Sequence, residues 1–314
     1  MAEGMETEFL AWLRERIAPH RRLQLGIGDD AAVVDLVAGG AKGDIPGCVV
    51  TVDLLTDGVD FLLAETMPQR VGRKALAVNL SDLAAMAARP SAAVIAVALP
   101  RTGALDLAKQ LYEGLLPLAE RYDVALAGGD TNTWDGPLVI SVTLLGELTA
   151  RGPLRRDGAR PGDVIVVTGD FGGSILGKHF DFEPRVNEAL QLHERYELHA
   201  GMDVSDGLSL DLSRLCEASR CGAALDLGTV PIAATARELA ASRADGMTPL
   251  EHALSDGEDF ELLLAMPADE ARRAIAEQPL GVPVTIIGEF VEQSGLWQRH
   301  SGRLTPLAAR GYLH

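Results

Sequence analysis

The stretch Lys74-Ala75-Leu76-Ala77-Val78-Asn79-Leu80-Ser81-Asp82-Leu83-Ala84-Ala85-Met86 decides how the chain is read. It belongs to a segment, residues 68–88, that predicts a long helix opening on Pro68, a residue tolerated in the first helical turn. Almost every side chain in it is apolar or small, so most of the helix is expected to be buried. A carboxylate in such surroundings is costly unless it is paired or bound. Asn79 and Asp82 stand three apart and project from one face. That face is either the solvated stripe of an ordinary amphipathic helix or a ligand site at the mouth of a pocket. The other acids of the chain decide between the two.

Upstream lies Gly26-Ile27-Gly28-Asp29-Asp30, where two glycines loosen the backbone before two adjacent carboxylates. Cys48-Val49-Val50-Thr51-Val52-Asp53 reads as a buried strand ending on an acid. Residues 92–99 and 138–148 read as strands and residues 105–122 as a helix. Residues 124–127 form a short apolar run leading into a Gly128-Gly129 turn and Asp130. Beyond a Gly-, Pro- and Arg-rich stretch at 151–162, residues 163–168 read as a strand opening into Gly169-Asp170-Phe171-Gly172-Gly173-Ser174, a loop able to offer N–H groups to a phosphate. Asp203 and Asp206 straddle Ser205 before a helix over 207–219; further strands are expected at 223–227, 260–266 and 284–287. Each acid taken alone is a turn or cap residue. Asp29, Asp30, Asp53, Asp82, Asp130, Asp203 and Asp206 together make a set that is hard to assemble without divalent cations. Magnesium, which takes hard oxygen ligands and shares them with phosphates, fits best.

Helices and strands alternate in both halves, so the class is mixed α and β, with domains expected over 1–150 and 151–314. The runs at 92–99 and 138–148 look antiparallel, which argues against a simple doubly wound sheet. Asn79-Leu80-Ser81-Asp82 echoes Asp203-Val204-Ser205-Asp206, too briefly to establish a duplication. An amphipathic helix over 7–17, with Phe9, Leu13 and Ile17 spaced by four, is expected to pack. The chain is 47% hydrophobic and only 4% aromatic, so its cores are built from Ala, Val, Leu and Ile. A net charge of −17 argues against a general nucleic-acid or anionic-membrane surface. Cys48, Cys216 and Cys221 form no CxxC pair, so neither a disulfide framework nor a zinc site is expected. With no run near ~18 apolar residues and no signal-peptide core in the first residues, the expected location is the cytoplasm. GxxxxGK[ST] and HExxH are both missing.

In order, these motifs resemble the thiamine-monophosphate kinase family of the aminoimidazole-ribonucleotide-synthetase-like superfamily. The resemblance runs through Gly26–Asp30, the strand carrying Asp53, Lys74–Met86, Gly128-Gly129-Asp130-Thr131, Arg156, Pro184-Arg185, Asp203-Val204-Ser205-Asp206-Gly207-Leu208, Gly257-Glu258-Asp259-Phe260-Glu261-Leu262 and Gly311-Tyr312, nearly the whole chain. It implies ATP- and magnesium-dependent phosphorylation of thiamine monophosphate to thiamine diphosphate. It implies a homodimer in which N-terminal domains share a β-barrel, with α/β C-terminal domains outside. Carried over by motif, Asp30, Thr51, Asp53, Asp82, Asp130, Asp203 and Asp206 are metal ligands, Val52 joining them through its carbonyl. Tyr112, Gly129, Asp130, Arg156 and Ser205 contact ATP. Glu258 and Tyr312 contact substrate, and so does position 60. The catalytic set is Asp30, Asp82, Asp130 and Arg156.

Some positions depart from the family pattern. Asp60 stands where a substrate-contacting histidine is usual, Val52 replaces a hydroxyl residue, Asn132 a threonine and Asp256 a glycine, and the segment from Ser174 to Pro184 is short. The implied chemistry suits the residues present. A phosphate with a second pKa of ~6 is already largely ionised at neutral pH, so it needs no strong general base. The difficulty is repulsion between anions, which metal ions and Arg156 offset.

Overall fold

Two sheets carry the chain, and one helix is pressed between them. The computed structural model describes residues 5–18, 20–36, 47–243 and 245–312. The first half contains α1 (Met5–Arg14), β1 (Leu23–Leu25), β2 (Ala32–Val34), β3 (Cys48–Thr56), α2 (Pro68–Ala85), β4 (Arg89–Pro100), α3 (Ala104–Arg121), β5 (Ala125–Trp134) and β6 (Val139–Glu147). The second contains β7 (Val164–Thr168), α4 (Lys178–Asp181), α5 (Val186–Arg195), β8 (Ala200–Asp203), α6 (Leu208–Ser219), β9 (Gly222–Leu225), α7 (Ala234–Ser242), α8 (Pro249–Ser255), β10 (Leu262–Met266), α9 (Ala268–Glu277), β11 (Val284–Val291), β12 (Gly295–His300) and β13 (Arg303–Pro306).

The N-terminal sheet has the order β1-β2-β3-β6-β4-β5. Its pairs are antiparallel except β4 with β5, so the antiparallel pairing expected of residues 92–99 and 138–148 is present. Among the described residues the sheet is open rather than a closed barrel. Period-2 alternation buries Ala93, Ile95, Val97 and Leu99 of β4 and Ile140, Val142 and Leu144 of β6 against helices. The other face leaves Val52, Leu54 and Val94 exposed.

The C-terminal sheet has the order β13-β12-β9-β11-β7-β10-β8, and its strands β7 and β10 are covered on both faces. Ile165 and Val167 of β7 and Leu263 and Ala265 of β10 face one core, with Leu208, Leu212 and Leu215 of α6. Their neighbours Val166, Leu264 and Met266 face the other core, which also holds Leu76, Leu80 and Leu83 of α2. This second core contains residues of both sheets.

Helix α2 therefore serves two layers. Pro68 stands at its start, and its buried residues include Lys74, Asn79 and Ser81 as well as the apolar run. It meets α3 backbone to backbone. A Cβ at Gly72 would fall 1.9 Å from the Leu111 carbonyl oxygen, and one at Gly114 would fall 1.7 Å from that of Gln69. Only glycine allows this approach.

Several expectations are corrected. Helix α1 ends at Arg14, the chain tightening as Arg16 and Ile17 both donate to the Leu13 carbonyl at 3.0 Å. Phe9, Trp12 and Ile17 are exposed rather than packed, with the Phe9 and Trp12 rings stacked. β3 runs past Asp53 to Thr56, because β6 pairs with it throughout. Gly128-Gly129 is not a turn: β5 continues to Trp134 through a bulge opposite Ala93 and Val94. No helix among the described residues is long and apolar enough to cross a membrane. All three cysteines are free thiols.

Candidate functional site

Three acids from three distant elements meet at one end of α2. Carboxylate oxygens of Asp30, Asp82 and Asp203 all lie within 4.8 Å of one another. Asp30 comes from the turn before β2, Asp82 from the last turn of α2, and Asp203 from the end of β8. On β3, Thr51 and Asp53 face inward while Val52 and Leu54 face outward. Thr51 donates its hydroxyl to Asp82, and Ser81 donates to Asp203. The echo between residues 79–82 and 203–206 thus ends in physical contact.

The cluster is electrostatically unfavourable as it stands. Burial, then the charges of Asp53, Asp203 and Asp30, push the Asp82 carboxyl well above the usual range. Burial, then Asp30, does the same to Asp203. Burial also raises Asp53 to about 6. Asp53 meets Asp82, yet its Oδ2 is buried without a hydrogen-bond partner. An orphaned carboxylate oxygen beside three crowded acids and a hydroxyl is a donor set for a hard divalent cation. The residues fit magnesium.

Arg156 supplies the positive charge. Its Nε and Nη2 donate to Asp30 at 3.0 and 2.5 Å, a bidentate pair in which the Asp30 side chain is fully buried. Asp29 braces this pair: its carboxylate accepts from the backbone N–H groups of Asp30 at 3.1 Å and Arg156 at 3.2 Å. Burial, then Asp30, lifts Asp29 to about 6. Ser219 donates to the Arg156 carbonyl at 2.7 Å and fixes its backbone.

A second group lies about two turns earlier on α2, around Lys74. Lys74 donates to Glu258 Oε1 at 2.5 Å and to the Asp60 carbonyl at 3.0 Å. His179 Nδ1 lies 3.3 Å from both Lys74 Nζ and Glu258 Oε2. Burial alone would raise the Glu258 carboxyl; His179 and Lys74 outweigh it and hold it below the usual value. Lys74 and His179 escape reading from the sequence. A lysine in an apolar helix is the only signal, and His179 and Glu258 are more than a hundred residues away from it.

Other expected residues stand apart from the acid cluster. Asp130 is exposed on β5 and caps Thr131 N at 2.9 Å. Asp206 pairs with Arg214, while its N–H donates to Asp211 at 2.9 Å. Gly129 is required by its neighbour, since a Cβ there would fall 1.8 Å from the Ile95 carbonyl oxygen. Tyr112 is half-buried on α3. The Ser205 carbonyl accepts from Glu258 N at 2.6 Å, and the Asp206 carbonyl from Tyr312 N at 2.8 Å. The Asp60 carboxylate accepts from Thr56 N at 2.7 Å. Four amides of the Gly169–Ser174 loop, those of Gly169, Phe171, Gly172 and Gly173, already have acceptors within the chain. Gly172 N donates to both Asp259 oxygens at 3.0 Å and Gly173 N to Asp256 at 2.7 Å, so acids of the chain already occupy the place proposed for phosphate.

The chain is similar to known proteins along nearly its whole length. Residues 28–148 match the family described as AIR synthase related protein, N-terminal domain, and residues 160–297 match its C-terminal domain. The thiamine-monophosphate kinase of Rhodopirellula baltica is 47% identical over 313 residues, covering 99% of this chain and 97% of that protein. A solved structure described as AaThiL complexed with AMPPCP and TMP superposes with a TM-score of 0.80 at 26% identity, over 99% of this chain and 96% of that one. The thiamine-monophosphate kinase crystal structure from Stenotrophomonas maltophilia K279a gives a TM-score of 0.72 at 33% identity, over 95% and 96% of the two chains.

Proposed function

This chain belongs to the thiamine-monophosphate kinase family of AIR synthase related proteins, and on that premise we propose that it transfers the γ-phosphoryl group of ATP to thiamine monophosphate, giving thiamine diphosphate and ADP. The observation that carries the reading is the convergence of Asp30, Asp82 and Asp203, with Thr51 and Asp53 beside them, next to Arg156. Bound magnesium supplies charge neutralisation between the two anionic phosphates. Asp30, Asp53, Asp82 and Asp203 would hold it, with the Val52 carbonyl, Asp130 and Asp206 at the margin.

Arg156 spends two donors on Asp30 and keeps three N–H groups for phosphate oxygens. Tyr112, Gly129 and Ser205 take the nucleotide. Glu258, Tyr312 and the Asp60 turn take the acceptor, whose ionised phosphate is itself the nucleophile. The protein's contribution is positioning and electrostatic stabilisation, with no side chain required to remove a proton. Residues 1–150 supply Asp30, Asp53, Asp82, Tyr112 and Gly129, and residues 151–314 complete the site with Arg156, Asp203, Ser205 and Glu258.

A second copy of this chain covers the open face of the N-terminal sheet, where Val52, Leu54 and Val94 stand exposed, and closes the sheets of the two copies into a barrel. Use of ATP supports the cytoplasmic location expected from the sequence. The test is to mix protein, ATP, magnesium and thiamine monophosphate and to measure thiamine diphosphate and ADP together. Tight ATP binding without either product would overturn the assignment.

A further inference from the structure

Glu258 is held in an unusual way for a half-exposed acid. Its side chain is 37% exposed, while the Lys74 and His179 side chains that contact it are 0% and 7% exposed. A surface carboxylate is ordinarily met by flexible surface cations. Here a lysine that emerges from the buried face of α2 reaches it from below. Two donors of that ammonium go to Glu258 Oε1 and the Asp60 carbonyl, and His179 Nδ1, 3.3 Å from both the ammonium and Glu258 Oε2, is placed to donate to the carboxylate. The imidazole is wedged between Lys74 and Glu258 and packs on Phe180, with ring centroids 4.0 Å apart.

The backbone under Glu258 is equally constrained. Glu258 has φ +53° and Phe260 φ +51°, both in the left-handed region, where non-glycine residues are uncommon. Glu258 N donates to the Ser205 carbonyl at 2.6 Å, which anchors the turn to the loop carrying Asp203 and Asp206. Backbone strain, two buried partners and one exposed edge describe a carboxylate aimed outward.

The charge balance indicates what it is aimed at. Lys74 already offsets the negative charge, so a bare cation gains little from the pair. A carboxylate has about four acceptor sites, however, and the outer ones remain available to an N–H donor approaching from solvent. Resting on the activity proposed above, we propose that Lys74 and His179 are positioning residues that fix Glu258 as a directional hydrogen-bond acceptor for a neutral heteroaromatic amine, the aminopyrimidine of the phosphate acceptor. The pair thereby sets selectivity for an amine over an oxo group at that ring position.

The test compares thiamine monophosphate with its analogue bearing oxygen in place of the ring amine, using wild type, Lys74→Met, His179→Leu and His179→Asn. Wild type is expected to favour the amine by about tenfold or more in kcat/KM, the scale of one well-placed hydrogen bond. Lys74→Met and His179→Leu are expected to raise KM for thiamine monophosphate by a similar factor and to bring the two acceptors near parity, with KM for ATP little changed. His179→Asn, which keeps a polar group near the Nδ1 position, is expected to restore most of the selectivity. Selectivity unchanged in a folded His179→Leu variant would overturn the proposal. So would a loss that falls equally on ATP and acceptor, or wild type that does not distinguish the acceptors. If Lys74→Met does not fold, the two His179 variants decide the matter. Wild type that makes no thiamine diphosphate overturns the activity itself; wild type that makes it while the variants keep full selectivity overturns the positioning role alone.

Discussion

Replacing Asp82 by asparagine removes one charge from a group whose members repel one another, and two opposite effects follow. Turnover is expected to fall at least about a hundredfold, because a ligand of the phosphate-bridging cation is lost. Stability in the presence of a chelator is expected to rise by about 1–3 kcal/mol, because a desolvated charge is gone. Magnesium should raise the thermal midpoint of wild type and leave that of Asp82→Asn almost unmoved; equal shifts would remove Asp82 from the metal site. Asp259 gives a separate test at the same scale. Burial holds its carboxyl up at about 7, despite the Gly172 N–H and the Lys178 ammonium. An aspartate in the unfolded chain ionises near ~3.9, so between the two values the folded state keeps a proton that the unfolded state has lost. Its stabilising contribution is therefore full below the lower value and is lost as pH rises to the upper one. Urea midpoints measured across that window should decline less steeply in Asp259→Asn than in wild type; identical slopes would refute this.

Among the elements, the contact between α2 and α3 is the least tolerant. Gly114→Ala would place a methyl group on the Gln69 carbonyl, and the helices must part to admit it. A loss of about 1–3 kcal/mol in urea unfolding is expected, together with weaker ATP binding because Tyr112 rides on α3. An unchanged midpoint would show that the helices separate freely. Elements with strong periodicity were legible in the sequence: α2 from its apolar run and Pro68, β7 and β10 from dense aliphatic residues. The acid cluster was legible because carboxylates interrupt otherwise buried segments. β8, Ala200–Asp203, was not, since Ala-Gly-Met-Asp has no strand preference and pairs only because β10 lies beside it. The β12–β13 hairpin and the three-residue β1 and β2 are likewise set by their neighbours. The Gly169–Ser174 loop misled because glycine content reports backbone freedom and says nothing of which acceptor takes the amides. Lys74, His179 and Glu258 come together only through tertiary packing.

For the molecule as a whole, an exposed apolar sheet face sits on a chain of net charge −17. Like charge keeps copies apart at long range, so association must come from short-range burial of Val52, Leu54 and Val94. Sedimentation at micromolar protein is expected to give a dimer that is strengthened by salt. Val52→Lys combined with Leu54→Lys should give a folded monomer; a dimer in that variant would place the interface elsewhere.

Helix α2 has one further consequence. It is encoded in the first half of the chain, yet its far side lines the same core as Val166, Leu264 and Met266 of the second. Cutting the chain after residue 150 would leave one fragment with a bare hydrophobic flank and the other without its floor. Neither piece should be stable or active when made separately, whereas co-expression of the two should reconstitute a working enzyme. The kinase is thus a poor source of portable modules: what looks like a seam in the sequence is sewn shut by α2 and by the Arg156–Asp30 pair.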